Sequence, residues 1–293
     1  MAETVRMGST TMPEGFEVLH PSDVSSLRIP WDARYSRDEI AEIASSDPPL
    51  SLWNPRTGGY LIGGFWRHRE DIANVVDIVG PAVSTELLEA FLIRCRQVGL
   101  KLAIVAEYSE RRRESFYESG GMHLIEEIVV YELGRLPSAS LARPGSPELI
   151  ARVVDPETVD GFDELIRLDH RAFPWLWWNT PSEFENYASA PGVIIETLST
   201  MDGKLVGYIG MTSLGSWGHL DRIAVDPDLQ GQGFGRLLLD RSIQRLRSGG
   251  ARRVALSTQA SNTVSRALYE SVGFRRSRNF DYRIYGTRLR DAG

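Results

Sequence analysis

The sequence predicts an α/β protein built as two tandem domains, and three observations carry that prediction. Short apolar or alternating runs bounded by Gly, Pro, Asn and Asp are interleaved with amphipathic runs of helical period in both halves of the chain. A stretch from Gly134 to Pro147 concentrates Gly, Pro and Ser, the residues of linkers. Finally, Tyr117-Glu-Ser-Gly-Gly121 recurs as Tyr269-Glu-Ser-Val-Gly273, 269 − 117 = 152 residues later; in that register Ala103 falls on Ala255 and Ser109 on Ser261. The expected division is a first domain over 1–135, a linker over 136–147 and a second domain over 148–293.

A chain of 293 residues with 42% apolar and 25% charged residues has the material for two cores and lacks the composition of a disordered protein. Cys95 is the single cysteine, so no intrachain disulfide can form, and a reducing compartment with a buried, unreactive thiol is expected. There is no basic start followed by an apolar run and no stretch of about eighteen apolar residues, which predicts a cytoplasmic protein without a membrane partner. The net charge is −6; cut after Gly145, the first part holds 15 Lys+Arg against 21 Asp+Glu and the second 18 against 18. Such a balance speaks against a polyanion-binding surface, and nucleic acid is not an expected partner.

Residues 1–20 are polar with no clear period, and part of this stretch is expected to be mobile. Ser36 with Glu39 three residues on is a capping box for a helix to Ala44, which Asp47-Pro48-Pro49 ends. Leu50–Trp53, Tyr60–Trp66 and Ile72–Val79 read as strands punctuated by Asn54-Pro55 and Gly58-Gly59. Glu86–Val98 is an amphipathic helix, Leu102–Ala106 a strand, Glu110–Ser119 a helix and Met122–Leu133 a strand.

The second half repeats this outline. Ile150–Val154 is a strand, Thr158–Arg171 a helix and Ser182–Ala188 a short helix, while Val193–Leu198 and Lys204–Ser213 form a hairpin across Met201-Asp202-Gly203. A strand then ends at Val225, a turn follows at Asp226-Pro227, and a glycine-rich loop opens a helix with Gly235, Leu239, Ile243 and Leu246 inward and Gly249-Gly250 at its end. Arg252–Thr258 is a strand. In the helix Asn262–Ser271, Val264, Leu268 and Val272 are expected inward, which puts Asn262 and Tyr269 on a different, shared face. A closing strand lies around Phe280–Tyr285.

The glycine-rich loop carries the chemistry. Glycine at 231, 233 and 235 admits backbone conformations barred to other residues. The helix it opens presents unpaired N–H groups and about half a positive charge, a site for phosphate or pyrophosphate that needs no lysine. A dinucleotide fingerprint fails, because Arg236 stands at the third glycine position and the basic Arg252 and Arg253 where a ribose-binding acid is required. A Walker A loop also fails, because Arg236-Leu237 stands where Lys-Ser/Thr is needed.

What remains is Gln230-x-x-Gly233-x-Gly235 behind Ile223-Ala-Val-Asp-Pro227, followed by Ala267-Leu-Tyr-Glu-Ser-Val-Gly-Phe274. This combination resembles the GNAT superfamily of N-acetyltransferases, strongly over Leu149–Tyr285 and weakly over Tyr60–Leu133. The resemblance implies two tandem GNAT-like domains, each a mixed, mostly antiparallel sheet flanked by helices. The first copy is degenerate: near Val79–Glu86 it has one glycine, Gly80, and Pro81, which lacks an N–H. It is expected to bind no pyrophosphate and instead to shape the acceptor site or stabilise the pair.

The same resemblance implies acetyl-CoA as co-substrate, with no metal. It assigns the backbone of Ile223, Ala224 and Val225 to the pantetheine arm and to an oxyanion donor. Gln230, Gly231, Gln232, Gly233, Phe234, Gly235 and Arg236 would take the pyrophosphate, Asn262 the coenzyme again, and Tyr269 would protonate the departing thiolate.

Attack on a thioester also requires an amine that has lost its proton. His219 and Asp221 alternate on one strand and so face the same side, and an imidazole beside a carboxylate suits a proton relay. The arylalkylamine acetyltransferases are similar here, with His-x-His at these positions, whereas many members of the superfamily carry Glu where His219 stands. The ribosomal-protein N-terminal alanine acetyltransferases share the strand, loop and Leu-Tyr-Glu motifs but carry Glu where this chain has Ser257. The tandem arrangement is similar to that of mycothiol synthase, although no residue outside the shared motifs ties the chain to thiol biosynthesis.

Phe173, Trp175, Trp177 and Trp178 either wall an amine-binding site or fill a seam between the domains. The expected function is acetyl transfer from acetyl-CoA to the amine of a small molecule, by a monomer or homodimer. The alternatives are a protein or peptide N-terminus as acceptor and a non-catalytic acyl-CoA sensor.

Overall fold

The computed structural model describes residues 11–80, 84–108, 114–138, 148–157 and 162–289. Among these the first half forms β1 (Glu17–Val18), α1 (Arg37–Ala44), β2 (Leu52–Trp53), β3 (Tyr60–Phe65), β4 (Ile72–Val79), α2 (Glu86–Gln97), β5 (Leu102–Glu107), α3 (Glu114–Ser119) and β6 (His123–Leu133). There follow β7 (Ile150–Val153), α4 (Asp163–Ala172), α5 (Pro181–Ser189), β8 (Val193–Ser199), β9 (Leu205–Leu214) and β10 (Trp217–Val225). The chain ends with α6 (Phe234–Ser248), β11 (Arg253–Gln259), α7 (Thr263–Val272), β12 (Arg275–Arg276) and β13 (Tyr282–Arg288). The expected linker from 139 on, residues 81–83 of the first-copy loop, and the starts expected for the helices at Glu110 and Thr158 lie outside the described residues. No helix among the described residues is long and apolar enough to cross a membrane.

The chain divides into two compact units, one from Met1–Glu127 with Tyr282–Gly293, the other Ile128–Asp281. In the first, the strand order is β1-β2-β3-β4-β5-β13. Every pairing is antiparallel except β4 with β5, which run parallel from Ile72↔Leu102 to Val75↔Val105. Leu88, Phe91, Leu92 and Cys95 of α2 are buried on one face of this sheet. Phe91 packs so closely that a Cβ on Gly63 of β3 would lie 2.6 Å from its Cε2 and 2.7 Å from Leu50 O. On another core cluster Ile40 and Ala44 of α1 join Leu19, Tyr60 and Ile62. Ser36 caps α1 as its sequence predicts, with Glu39 N–H donating to Ser36 Oγ at 3.3 Å and Ser36 N–H to Glu39 Oε2 at 2.8 Å. Within the opening stretch, where the sequence shows no clear period, Glu17–Val18 pairs with β2 and Leu19 is fully buried. Two residues are too few to show a period.

In the second unit the order is β6-β11-β10-β9-β8-β7, with β12 also paired to β6. Again one central pair, β10 with β11, is parallel. Leu238, Leu239, Ile243 and Leu246 of α6 pack on Val206, Ile209, Met211, Leu220, Val254 and Leu256. The other face is covered by Leu165 and Leu168 of α4 and Phe184 of α5, against Ile195, Tyr208 and Ala224. These are the layers expected of a mixed sheet with an apolar stripe on each face.

The units do not follow the linear division drawn from the sequence. β6 belongs to the second unit from Ile128 on, pairing with β11 from Ile128↔Gln259 to Leu133↔Val254. The closing strand belongs to the first, pairing β13 with β5 from Arg283↔Glu107 to Arg288↔Leu102. Alternation identifies each strand but carries no record of its partner, so this exchange was invisible to patterning.

Candidate functional site

β10 and β11 run side by side only from Trp217↔Arg253 to Leu220↔Leu256. Beyond that point β10 stays with β9 and β11 with β6, so the two central strands part. Asp226 N–H donates to Val206 O at 2.9 Å. Alternation along the antiparallel ladder then makes Ala224/Tyr208 and Arg222/Gly210 the hydrogen-bonded pairs. Ile223 and Val225 therefore aim their N–H and C=O groups away from β9, into the opening. Gln230 reaches back across it, donating from Nε2 to Val225 O at 3.2 Å.

From β10 the chain turns at Asp226, whose buried carboxylate receives both Nη atoms of Arg171 at 3.0 Å. It reaches α6 through Gly231 at φ 77° and Gly233 at φ 91°, ψ 0°. Both are left-handed, so the backbone itself demands glycine, and a Cβ at either would meet no protein atom within 4 Å. Gly235 differs: it is helical, and a Cβ there would make ordinary contact with Leu268 Cδ2 at 3.6 Å and Val225 Cγ2 at 3.9 Å. Those contacts bring the end of β10, the start of α6 and α7 together. No side chain caps α6, and Leu237 N–H to Gly233 O at 3.1 Å closes its first turn. The amides of Phe234 and Gly235 thus face out of the positive end of a 15-residue helix. Arg236 Nη1 donates to Ser271 Oγ at 3.0 Å. Uncapped amides, a left-handed turn and no bulk above it fit a phosphate-bearing ligand.

Asn262 is the N-cap of α7, its Oδ1 accepting from Ser265 N–H at 3.1 Å, which leaves its NH2 as the donor toward a ligand. Tyr269 is the buried residue of α7, with ring centroids 6.3 Å from Tyr131 and 6.0 Å from Phe274. Burial pushes its phenol up to about 12 against the opposing hydrogen bond to Ser265, so it carries its proton at neutral pH. Of the three residues expected inward, Leu268 and Val272 pack against the core, whereas Val264 is 80% exposed and Tyr269 is buried in its place. The tyrosine ring buries far more apolar area than a valine, which favours its burial over that of Val264.

At Asp221 the β10–β9 register shifts by one residue, from Leu220↔Met211 to Arg222↔Gly210. This bulge turns the successive side chains of Asp221 and Arg222 to the face covered by α4 and α5. Asp221 Oδ1 meets His219 Nδ1 at 2.6 Å, joining the two residues as expected from their alternation. Oδ2 accepts from Tyr187 OH of α5 at 2.6 Å and from Thr212 Oγ1 of β9 at 2.7 Å. The side chains of His219 and Asp221 remain 37% and 24% exposed. Arg222 donates to the fully buried Asp169 of α4, from Nη2 at 2.9 Å to Oδ1 and from Nε to Oδ2, and Tyr208 OH donates to the same carboxylate.

The aromatic residues after α4 do not act as one cage. The Arg222 guanidinium lies 3.7 Å from the centroid of Phe173. Trp178 stacks on His170 at 4.5 Å and donates from Nε1 to Phe173 O at 2.8 Å. Trp177 is buried, and Trp175, 36% exposed, presents the largest open aromatic surface of the group. The 3-10 turn Trp175–Trp177 sends Leu176 and Trp177 inward and leaves Trp175 at the surface.

Sequence reasoning missed Tyr187, Thr212, Arg222 and Gly210. One signal was present: a glycine inside a strand run marks a bulge or a close approach. A Cβ on Gly210 would lie 2.6 Å from Tyr187 Oη and 2.9 Å from its Cε1.

Residues 162–274 match the Acetyltransferase (GNAT) family. Over 104 residues the chain is 38% identical to [Ribosomal protein bS18]-alanine N-acetyltransferase of Escherichia coli (strain K12), covering 35% of this chain and 66% of that protein. The chain therefore spans just under two thirds of that relative's length. A mycothiol acetyltransferase of Cellulomonas flavigena is 33% identical over 172 residues, covering 51% of this chain and 49% of that one. A solved tandem GNAT protein from the clavulanic acid biosynthesis pathway is similar in fold, with a TM-score of 0.59 and 16% identity over 95% of this chain and 99% of that chain.

Proposed function

We propose, from the premise that over residues 162–274 the chain is a member of the acetyltransferase (GNAT) family, that it is an acetyl-CoA-dependent N-acetyltransferase. The observation that carries this reading is the parting of β10 from β11 beyond Leu220 and Leu256, with an uncapped, glycine-preceded helix end directly after it. A strand edge with outward N–H and C=O groups is what an amide-bearing arm requires, and a helix end with outward amides is what a diphosphate requires.

Bound acetyl-CoA supplies an activated acetyl group and a thiol leaving group. Around it Gly231, Gln232, Gly233, Phe234, Gly235 and Arg236 hold the diphosphate, the first-turn amides donating to it. Gln230 braces the loop on Val225 O, and the NH2 of Asn262 adds a donor. The outward groups of Ile223 and Val225 align the pantetheine arm, while Ala224, whose N–H and C=O turn to β9, holds the edge in place; the N–H of Ile223 donates to the acetyl carbonyl oxygen.

His219, held by Asp221, takes the proton of the incoming amine. Tyr269 donates to the sulfur. With its phenol pushed up to about 12 and a thiol near 8.5, a shared hydrogen bond is favoured over full transfer.

The acceptor reading is a small-molecule amine, walled by Trp175 with Phe173, Trp177 and Trp178 behind it. Its support is the match to mycothiol acetyltransferase, which runs over 51% of the chain. A second reading, a protein N-terminus beginning with alanine, is favoured by the 38% identity to the bS18-alanine enzyme. Calorimetry with acetyl-CoA tests the first step, and release of free thiol across a panel of small amines and alanine-headed peptides tests the acceptor. Absence of acetyl-CoA affinity would overturn the whole reading, and turnover confined to the peptides would overturn the small-molecule acceptor.

A further inference from the structure

Asp221 holds three hydrogen-bonding partners, and the two that donate to Oδ2, Tyr187 and Thr212, come from outside its own strand. We propose that Tyr187 and Thr212 are positioning residues that fix the tautomer of His219, so that Nδ1 carries the hydrogen and Nε2 is the proton acceptor for the amine. This rests on the reading of His219 as the base.

An ionised carboxylate only accepts hydrogen bonds. Tyr187 at 2.6 Å and Thr212 at 2.7 Å both donate to Oδ2, which leaves Oδ1 for His219 Nδ1 at 2.6 Å. Burial, then the Asp221 charge, pushes the Tyr187 phenol far up, so it stays a donor across the working range. With Oδ2 already holding two donors, a carboxylate at Asp221 meets the imidazole as an acceptor at Oδ1, and the hydrogen on that short contact is then the imidazole's. Nε2 is left with its lone pair. When it accepts the amine proton the ring becomes imidazolium, and the carboxylate beside it balances the charge.

Three separate features serve this arrangement. The bulge keeps Arg222 on the same face as Asp221, the face that α4 and α5 cover. Gly210 clears the ring of Tyr187, which a Cβ would approach at 2.6 Å at Oη and 3.1 Å at Cζ. α5 itself, opened by Thr180 and Pro181, sets Tyr187 two turns in. The charged and titratable groups around the couple are Tyr187 on α5, Tyr208 on β9, Arg222 on β10 and Asp169 on α4; the last two neutralise each other.

The test uses the full chain labelled with 15N-histidine, as wild type, Tyr187→Phe, Thr212→Val, the double variant, and Gly210→Ala, which displaces Tyr187 without removing its hydroxyl. The imidazole 15N signals of His219, assigned through His219→Gln, report the tautomer directly. The wild type is expected to show hydrogen on Nδ1, and the double variant and Gly210→Ala a mixture. In turnover, kcat is expected to fall roughly tenfold in each single variant with KM for acetyl-CoA unchanged, the loss of one hydrogen bond to a charged group.

A wild-type ring with hydrogen on Nε2, or an unchanged tautomer in the double variant, overturns the proposal. A tautomer shift in a protein that transfers no acetyl group supports the positioning role and refutes only the assignment of His219 as base. Phe and Val keep the packing of the residues they replace, and melting curves verify that the variants fold.

Discussion

Replacing Gly233 and Gly235 by alanine, one at a time, separates backbone necessity from ligand fit at the head of α6. Gly233 sits at φ 91°, ψ 0°. Alanine in that left-handed basin costs about 1–2 kcal/mol, with no contact to compensate because the space beside it is open. Gly235 lies inside the helix, where alanine adds up to about 1 kcal/mol of stability and its methyl meets Leu268 at an ordinary 3.6 Å. The two variants should therefore differ by about 2 kcal/mol, a spread in melting temperature of about 4–8 °C for a unit of this size.

Binding should divide in the same sense for a different reason. A Gly233→Ala protein relieves strain by moving the loop, which re-aims the amides of Phe234 and Gly235; losing one such bond to an anion raises Kd for acetyl-CoA roughly tenfold or more. Gly235→Ala keeps the amides in place and should bind within about threefold of wild type. Differential scanning calorimetry and isothermal titration measure both quantities. Equal affinity of Gly233→Ala and wild type would refute the claim that the left-handed turn aims the amides. Destabilisation by Gly235→Ala would refute the packing argument.

Tyr269→Phe should retain acetyl-CoA affinity within about twofold while kcat falls roughly ten- to hundredfold, measured by thiol release in the presence of an accepted amine. Tyr60 and Tyr269 are both pushed up to about 12 by burial, above their unfolded values. Their contribution to stability is therefore complete below about pH 10 and is lost as pH rises from there towards 12, visible in urea midpoints taken across that window. Glu196, 1% exposed between Arg241 and Arg245, should cost about 1–3 kcal/mol when changed to Gln, a figure lowered because both arginines are more than a third exposed. Chemical denaturation measures that loss, and KM for acetyl-CoA should not move with it. Cys95 is fully buried with its thiol pushed up by burial, so iodoacetamide should label it only in denaturant, as followed by mass spectrometry.

The parts of the site that were legible in the sequence are contiguous in the chain. Strand, turn, glycines and helix follow one another from His219 to Leu239, and their order alone places amides at a helix mouth. His219 and Asp221 are two residues apart, so strand geometry by itself makes them neighbours, and they meet at 2.6 Å. The capping box at Ser36 was legible for the same reason. Tyr187 was not, because it stands 34 residues from Asp221 and nothing in the local pattern of α5 marks its hydroxyl. The inward face of α7 was misjudged at Val264 because helical period ranks residues by angle, whereas burial goes to the ring that finds Tyr131 and Phe274.

Taken alone, the order of residues determined the longer strands and helices and where a helix opens onto glycine, since those depend on φ, ψ and side-chain period within a few residues. Only the tertiary structure decided that β6 serves the second unit's sheet and β13 the first. It alone decided that a one-residue bulge keeps Arg222 on the same face as Asp221, the face that α4 and α5 cover. Those outcomes are choices among distant partners with similar local patterns, and the free energy that separates them is released only when the surfaces are packed.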